Sequence, residues 1–290
     1  MTSSSAYDLA VAYRVYPKVS PPALGLPFSD DKFRLAEVCL RSFRAALGAL
    51  RVKLWAILDG CPPEYVELFR SYFADRDLEI VICNAEGNQK TFARQIDILL
   101  TQQDAALVYF AEDDYFYLPG TFSSMVDFMT SNPDVDFISP FDHLDCYTTD
   151  FHHLPKWIRP HGDRHWRTAA STCLTFLTRK DVLGACEPIF RSYVRGNTDC
   201  GLWLSLTKHR ILNPIALARY LIRGEFYWKV LVKAWIHCPR QILVGKRFQL
   251  WIPIPGIATH LDRMALAPAV DWIELLKAEA AATGCVKQCD

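Results

Sequence analysis

Across the first half of the chain, short apolar runs alternate with stretches whose apolar positions recur every three or four residues. That alternation predicts strands crossing over through helices onto a parallel sheet. Leu9 to Val15 reads as the first strand, Val52 to Leu58 as the second, Glu79 to Asn84 as the third, and Ala106 to Phe110 as the core of the fourth. A loop rich in Pro and Gly, from Pro17 to Pro27, follows the first strand and is long enough to drape over a ligand. Ser29 or Asp30 then caps a helix whose Leu35, Val38, Cys39, Phe43, Ala46, Leu47 and Leu50 share one face. Pro62 and Pro63 open a helix running to about Phe73, and a helix from Thr91 to Gln103 turns Phe92, Ile96, Leu99 and Leu100 inward.

Pro119 opens a further helix with Phe122, Met125, Val126 and Met129 facing a core, and Phe137 to Ser139 reads as a short fifth strand. From Pro140 to Trp166 the periodicity disappears among prolines, aromatics and His143, His152, His153, His161 and His165, the pattern of a long functional loop. Ser171 to Thr178 alternates again as a strand, a turn and helix lead to Gly196-Asn197-Thr198-Asp199, Leu202, Trp203 and Leu206 suggest a helix after it, and Val270 to Ala282 forms a final helix. The expected class is α/β, a Rossmann-like, mostly parallel central sheet flanked by helices. Residues 1–213 would form the core, and 214–290 would complete the same domain.

With 290 residues and 51% hydrophobic content, one large core is affordable. Lysine plus arginine equals aspartate plus glutamate, 32 against 32, so no global field favours nucleic acid, and no recognition motif does either. Met1 to Tyr7 lacks the basic-then-apolar pattern of a secretory signal, and no apolar run reaches the roughly 18 residues that span a bilayer. A cytoplasmic chain, soluble or lying on a membrane surface, is expected. None of the 10 cysteines forms a pair with metal or redox spacing, and most sit in apolar runs, which reads as buried reduced thiols.

The apolar fourth strand runs directly into Glu112, Asp113 and Asp114. Three consecutive carboxylates at a strand end demand a cation or hydrogen-bond donors, and the C-terminal end of a central parallel strand is where open α/β sheets bind ligands. Hard oxygen ligands there suit Mn2+ or Mg2+ bridging to phosphate oxygens. Asp114 is the expected direct ligand, and Glu112, on the same side of an extended chain, reaches metal water or a sugar hydroxyl. The plainer reading, that Asp113 and Asp114 cap the helix near Pro119, leaves the third acid unexplained.

Ala93-Arg94-Gln95 in a helix, the apolar strand, Glu112-Asp113-Asp114, a proline five residues later, and Phe137-Ile138-Ser139-Pro140-Phe141-Asp142 together resemble the glycosyltransferase-A (GT-A) fold. Over about residues 8 to 142 the likeness is nearest to the inverting N-acetylglucosaminyltransferases, and Ile57-Leu58-Asp59-Gly60-Cys61 is similar to that family's second-strand end. The resemblance implies a metal-dependent transferase moving a hexosyl or N-acetylhexosaminyl group from a nucleotide sugar, a UDP-sugar first of all, to an acceptor hydroxyl with inversion, as in polysaccharide or glycolipid synthesis. It implies that Asp59 meets the base, Arg94 supports the donor, Glu112 and Asp113 contact ribose or sugar, and Asp114 holds the metal.

Arg14 matches only a general donor-loop position, with a solvated arginine as the alternative. Asn88 and Lys90 lie in Gly87-Asn88-Gln89-Lys90, similar to a donor-side loop; Lys90 reads either as a diphosphate contact or as a surface lysine. His260 resembles the third metal ligand of many GT-A enzymes and reads equally as a structural histidine. Inverting transfer asks for an acid away from the triplet to deprotonate the acceptor, and Asp199 fits that demand; it also fits a helix N-cap.

Two rivals stay open. A sugar-phosphate nucleotidyltransferase would want a Gly-rich loop after the first strand, which Tyr13 to Lys18 does not offer, and a non-catalytic nucleotide-sugar or glycan-binding protein would keep the fold. Between Arg219 and Leu250, Arg219, Arg223, Lys229, Lys233, Arg240, Lys246 and Arg247 face a single acid, Glu225, and are interleaved with Tyr220, Phe226, Tyr227, Trp228, Trp235 and Phe248. That mixture suits an anionic membrane surface and a lipid-linked acceptor, or else a packed helix pair with snorkelling cations.

Overall fold

The computed structural model describes residues 6–19, 23, 25–152, 156–222 and 226–286. Parts of the loop after the first strand, His153, Arg223, Glu225 and Cys289 lie outside the described residues. The first half follows the predicted alternation: β1 (Leu9–Val15), α1 (Lys32–Leu47), β2 (Val52–Asp59), α2 (Glu64–Tyr72), β3 (Leu78–Cys83), α3 (Asn88–Thr101) and β4 (Leu107–Glu112). β1 pairs in parallel with β2 on one side and β4 on the other, and β2 pairs in parallel with β3. All seven residues of β1 are buried, as a strand covered on both faces requires. Leu9, Val11, Tyr13 and Val15 enter one hydrophobic layer with α1, whereas Ala10 and Ala12 enter the other with Phe92, Ile96 and Leu99 of α3. The N-cap of α1 is Asp31, whose carboxylate accepts from Arg34 N at 3.1 Å, rather than the expected Ser29 or Asp30.

The second half is built differently. Its elements are β5 (Tyr115–Tyr117), α4 (Thr121–Ser131), β6 (Phe137–Ile138), α5 (Asp145–Thr148), β7 (Ile158–His161), β8 (Arg164–Ala169), β9 (Phe176–Arg179), α6 (Lys180–Phe190), α7 (Asp199–Thr207), α8 (Pro214–Ile222), α9 (Tyr227–His237), α10 (Pro239–Val244), β10 (Leu250–Ile254), β11 (Ala258–His260) and α11 (Trp272–Val286). The main sheet runs β3-β2-β1-β4-β9-β6-β10-β8-β7. β9 is antiparallel to both β4 and β6, and β10 is parallel to β6 but antiparallel to β8. The class is therefore α/β with a mixed central sheet flanked by helices, and its parallel character is concentrated in the N-terminal half.

Residues 140–166, expected as one loop, contain α5 and a β7–β8 hairpin. The hairpin is pinned from outside by pairing of β8 with β10, by Trp166 stacked on Phe128 at 4.3 Å, and by the buried Arg167–Asp142 ion pair at 2.7 Å. Strand β10 places residues from beyond 213 inside the main sheet. Cys39, Cys61, Cys83, Cys146, Cys173, Cys186, Cys200 and Cys238 are free thiols, five of them buried. Among the described residues, no helix is long and apolar enough to cross a membrane.

Candidate functional site

Because β1 sits between β2 and β4, the chain leaves its C-terminal end in opposite directions, which opens a crevice at that edge of the sheet. Register places Arg14 beside Glu112, and Asp59 closes β2. A cavity of about 430 Å³ lies there, lined by Arg14, Asp59, Asn88, Glu112, Asp113 and Asp114 together with Tyr16, Gly87 and Thr91. Six of the expected donor or metal residues thus share one pocket.

Each acid of the triplet faces a cation from a different element. Arg14 at the end of β1 donates to Glu112 Oε1, while Thr175 Oγ1 donates to Oε2 at 2.8 Å. Lys32, the first residue of α1, pairs with Asp113 at 2.8 Å, and Tyr16 N donates to the same carboxylate oxygen at 3.2 Å. His260 Nε2 lies 3.1 Å from Asp114 Oδ2. Burial opposes the charge of Lys32, but Asp113 and Asp114 outweigh it and hold the ammonium above its ordinary value. Burial likewise works against charge at Asp114 and His260. Their mutual attraction prevails, holding the carboxyl down at about 2 and lifting the imidazole to about 9. Lys32 carried no sequence signal; only folding brings the start of α1 under the triplet.

The meeting of Asp114 and His260 is made by a second, two-stranded ribbon. β5 follows Asp114 immediately and pairs antiparallel with β11, setting His260 opposite Tyr115, and Leu261 N donates to Asp114 O at 2.8 Å. Asp114 Oδ1 is buried and has no hydrogen-bond partner. A buried carboxylate oxygen without a donor has lost its hydration, and a cation within reach would compensate that loss. Among the described residues no three His, Cys, Asp or Glu side chains converge as a complete ligand cage. One or two protein ligands plus diphosphate oxygens and water is nonetheless the pattern Mg2+ favours, so the donor set fits such an ion.

Asn88 accepts from Arg14 through its backbone oxygen at 3.0 Å and through its side chain, and donates to Tyr193 Oη at 2.9 Å. It therefore orients the guanidinium, which also lies 5.7 Å from the Phe92 ring centroid. Asp59 accepts Glu86 N at 2.6 Å and Gly87 N at 2.8 Å, folding the 84–87 segment over the end of β2. Gly87 permits this at φ 86°, a left-handed conformation. Each Asp59 oxygen accepts one of these bonds and has a further lone pair.

Arg94 and Lys90 are placed outside the cavity lining. Arg94 is exposed and grips Glu86 with two bonds, one of them 2.8 Å, and its hydrogen bonds hold the Glu86 carboxyl below its usual value. Lys90 is exposed on the first turn of α3. Gln95, one residue further along α3 and wholly buried, instead donates to Ala12 O at 2.7 Å and Ala111 O at 3.0 Å, tying β1 to β4 behind the site. The sequence pattern missed that role.

Asp199 lies in a neighbouring cavity of about 390 Å³ with His143, Ser171, Cys173 and Tyr227. The cap of α7 is Thr198, which accepts from Gly201 N at 2.9 Å, and Asp199 is the first helical residue, accepting from Cys200 N at 2.7 Å. Burial pushes its carboxyl up, and Glu112 adds to the rise. The two cavities are thus electrostatic neighbours across Glu112.

No family model matches the chain, and no curated protein matches it. Among solved structures it is similar to residues 1–349 of Staphylococcus aureus TarS, at 13% identity and TM-score 0.40, covering 64% of this chain and 55% of that one. The same protein solved with UDP-GlcNAc matches over 62% of this chain and 48% of that one, at 13% identity and TM-score 0.40, so the chain spans about half of the TarS chains. A 4-diphosphocytidyl-2C-methyl-D-erythritol synthase from Anaerococcus prevotii matches at 9% identity and TM-score 0.41, covering 70% and 85%. A candidate nucleotide-diphospho-sugar transferase from Desulfovibrio desulfuricans matches at 11% identity and TM-score 0.42, covering 81% and 97%. At these scores the chemistry rests on this chain's own residues.

Proposed function

We propose that this protein is a metal-dependent glycosyltransferase that takes a nucleotide sugar, a UDP-sugar first of all, in the Arg14–Asp114 cavity and passes the sugar with inversion to an acceptor hydroxyl in the Asp199 cavity. The observation that carries this reading is Asp114: a carboxylate at the crevice, charge-matched by His260 on one oxygen and buried without a partner on the other. In this reading Asp59, with its remaining lone pairs, accepts from the base. Arg14, positioned by Asn88, and Glu112, braced by Thr175, orient ribose and sugar, and Asp113 with Lys32 fixes the turn on which Asp114 sits. Asp114 Oδ1, and His260 once it has given up its proton, are the residues that would hold Mn2+ or Mg2+; when bound, that ion supplies neutralisation of charge at the departing diphosphate. Asp199, its basicity raised by burial and by Glu112, takes the proton of the acceptor hydroxyl.

Lys90 and Arg94 support the reading least. Lys90 is exposed outside the cavity lining, and Arg94 acts through Glu86 on the 84–87 segment. The test is a thermal-shift panel of nucleotides and nucleotide sugars with and without MnCl2. A specific donor at 100 times its Kd stabilises the folded state by about 2.7 kcal/mol. Stabilisation by one nucleotide class, enhanced by manganese and followed by nucleotide release on adding acceptor, supports transfer. No stabilisation by any nucleotide removes the proposal.

A further inference from the structure

Nine of the 17 large hydrophobic residues exposed among the described residues fall between Leu212 and Val244: Leu212, Ile215, Leu221, Ile222, Phe226, Val232, Ile236, Leu243 and Val244. Seven of them sit on the outer faces of α8, α9 and α10, Leu212 precedes α8, and Phe226 caps α9 at the mouth of the Asp199 cavity. On α9 the inward positions are Val230, Leu231 and Ala234, while Lys229, Val232, Lys233 and Ile236 are exposed at helical spacing on the opposite face. On α8, Ala216 and Tyr220 point inward and Ile215, Arg219, Leu221 and Ile222 are exposed. Arg240 and Leu243 continue the alternation on α10. An ordinary solvated face would be polar, and a protein interface core would be depleted in lysine; cations spaced among aliphatic side chains are neither.

The charge on this stretch has one sign. Between Lys208 and Leu250 the chain contains nine lysines and arginines and a single acid, Glu225, although the whole chain is balanced at 32 against 32. A cleft of about 450 Å³ opens beside the face, and its charged or titratable lining residues are Arg195, His237, Arg240 and the Cys238 thiol. His237 is held below its ordinary value by burial, then by Arg195 and Lys233. The positive field therefore extends into the cleft.

We propose that the outer face of α8, α9 and α10 docks the protein on an anionic lipid bilayer. The aliphatic side chains enter the boundary between headgroups and acyl chains, Lys229, Lys233 and Arg240 lie at the level of the lipid phosphates, and the cleft takes a headgroup phosphate. This is attachment to one leaflet, since none of these helices is long enough to cross. Tyr227 and Val230, on the inner side of the same α9, line the Asp199 cavity. Docking thus holds that cavity within about one helix diameter, roughly 10 Å, of the lipid surface.

The experiment is co-sedimentation of the full chain with vesicles of phosphatidylcholine alone and of phosphatidylcholine with phosphatidylglycerol, at low and high NaCl. Binding only to the phosphatidylglycerol vesicles, weakened by salt, is expected, since surface attraction of exposed charges is screened. Lys229→Gln with Lys233→Gln should lower the partition coefficient about 30-fold. Ile236→Asp should lower it as well, while Arg70→Gln on the distant α2 should not. Thermal melts confirm that the variants fold. No binding, equal binding to both vesicle types, or a concentration-dependent dimer abolished by Ile236→Asp with no lipid binding would overturn the proposal. Because no nucleotide is present, its failure is separate from any failure of the transferase reading.

Discussion

Glu112, Asp113 and Asp114 occupy one strand end only because Arg14, Lys32 and His260 each answer one of them. Breaking such a pair from one side leaves a buried charge without compensation, which costs more than the pair contributes when intact. Lys32→Met should therefore destabilise the protein by about 3 kcal/mol in urea unfolding, and Lys32→Met with Asp113→Asn should recover most of that loss. Additive losses in the double variant would show that the two side chains are not coupled. Two other buried side chains set the acid limit. Burial pushes His152 and His209 down to about 4, and His209 Nε2 lies 2.8 Å from Phe151 O. Their folded values lie below the ordinary 6.5, so the unfolded chain takes up these protons first. Their contribution is complete above about pH 6.5 and is lost as pH falls toward 4, by roughly 3 kcal/mol for each group. Urea midpoints measured from pH 7 to 4.5 should fall accordingly, and His209→Gln should flatten the slope by about half.

At the scale of elements, what was legible depended on how far apart the contacts lie. The units from β1 to β4 show in the sequence because each buries a local pattern, two-residue for strands and helical for α1 and α3. β5 and β11 are three residues each, too short for a pattern, and exist because they pair across more than 140 residues. The β7–β8 hairpin includes Pro160 and polar residues, and it is held by β10, Phe128 and Asp142 rather than by its own alternation. The mixed sheet follows from those returns. The acidic triplet was legible as chemistry, and Asp114 and His260 do meet, but their partners were not all visible: Lys32 left no trace. Arg94 shows the converse. The helical period that buries Phe92, Gln95, Ile96 and Leu99 turns residue 94 outward, and there it meets Glu86.

Across the whole molecule, the two cavities divide the proposed labour between the two halves of the sheet. The first is built by β1, β2 and β4 from the parallel half, and the second by α7, whose Trp203 packs on Phe137 and Phe176 of the antiparallel half, and by α9, which packs on α7. Glu112 stands between them, bound on one side to Arg14 and on the other to Thr175, next to β9. Substitutions in the two cavities should consequently have separable effects. Asp114→Asn keeps the shape of the side chain but removes the charge, so it should abolish manganese-enhanced stabilisation by nucleotide and, with it, transfer. Asp199→Asn can still accept from Cys200 N and should leave nucleotide stabilisation unchanged while slowing transfer by about 10²–10⁴-fold, the usual span for a lost general base. Thermal shift with UDP and MnCl2, set beside nucleotide release in the presence of acceptor, reads both. If Asp199→Asn weakened nucleotide binding as much as Asp114→Asn does, the cavities would form one binding site and Asp199 would have no separate role in the proton transfer.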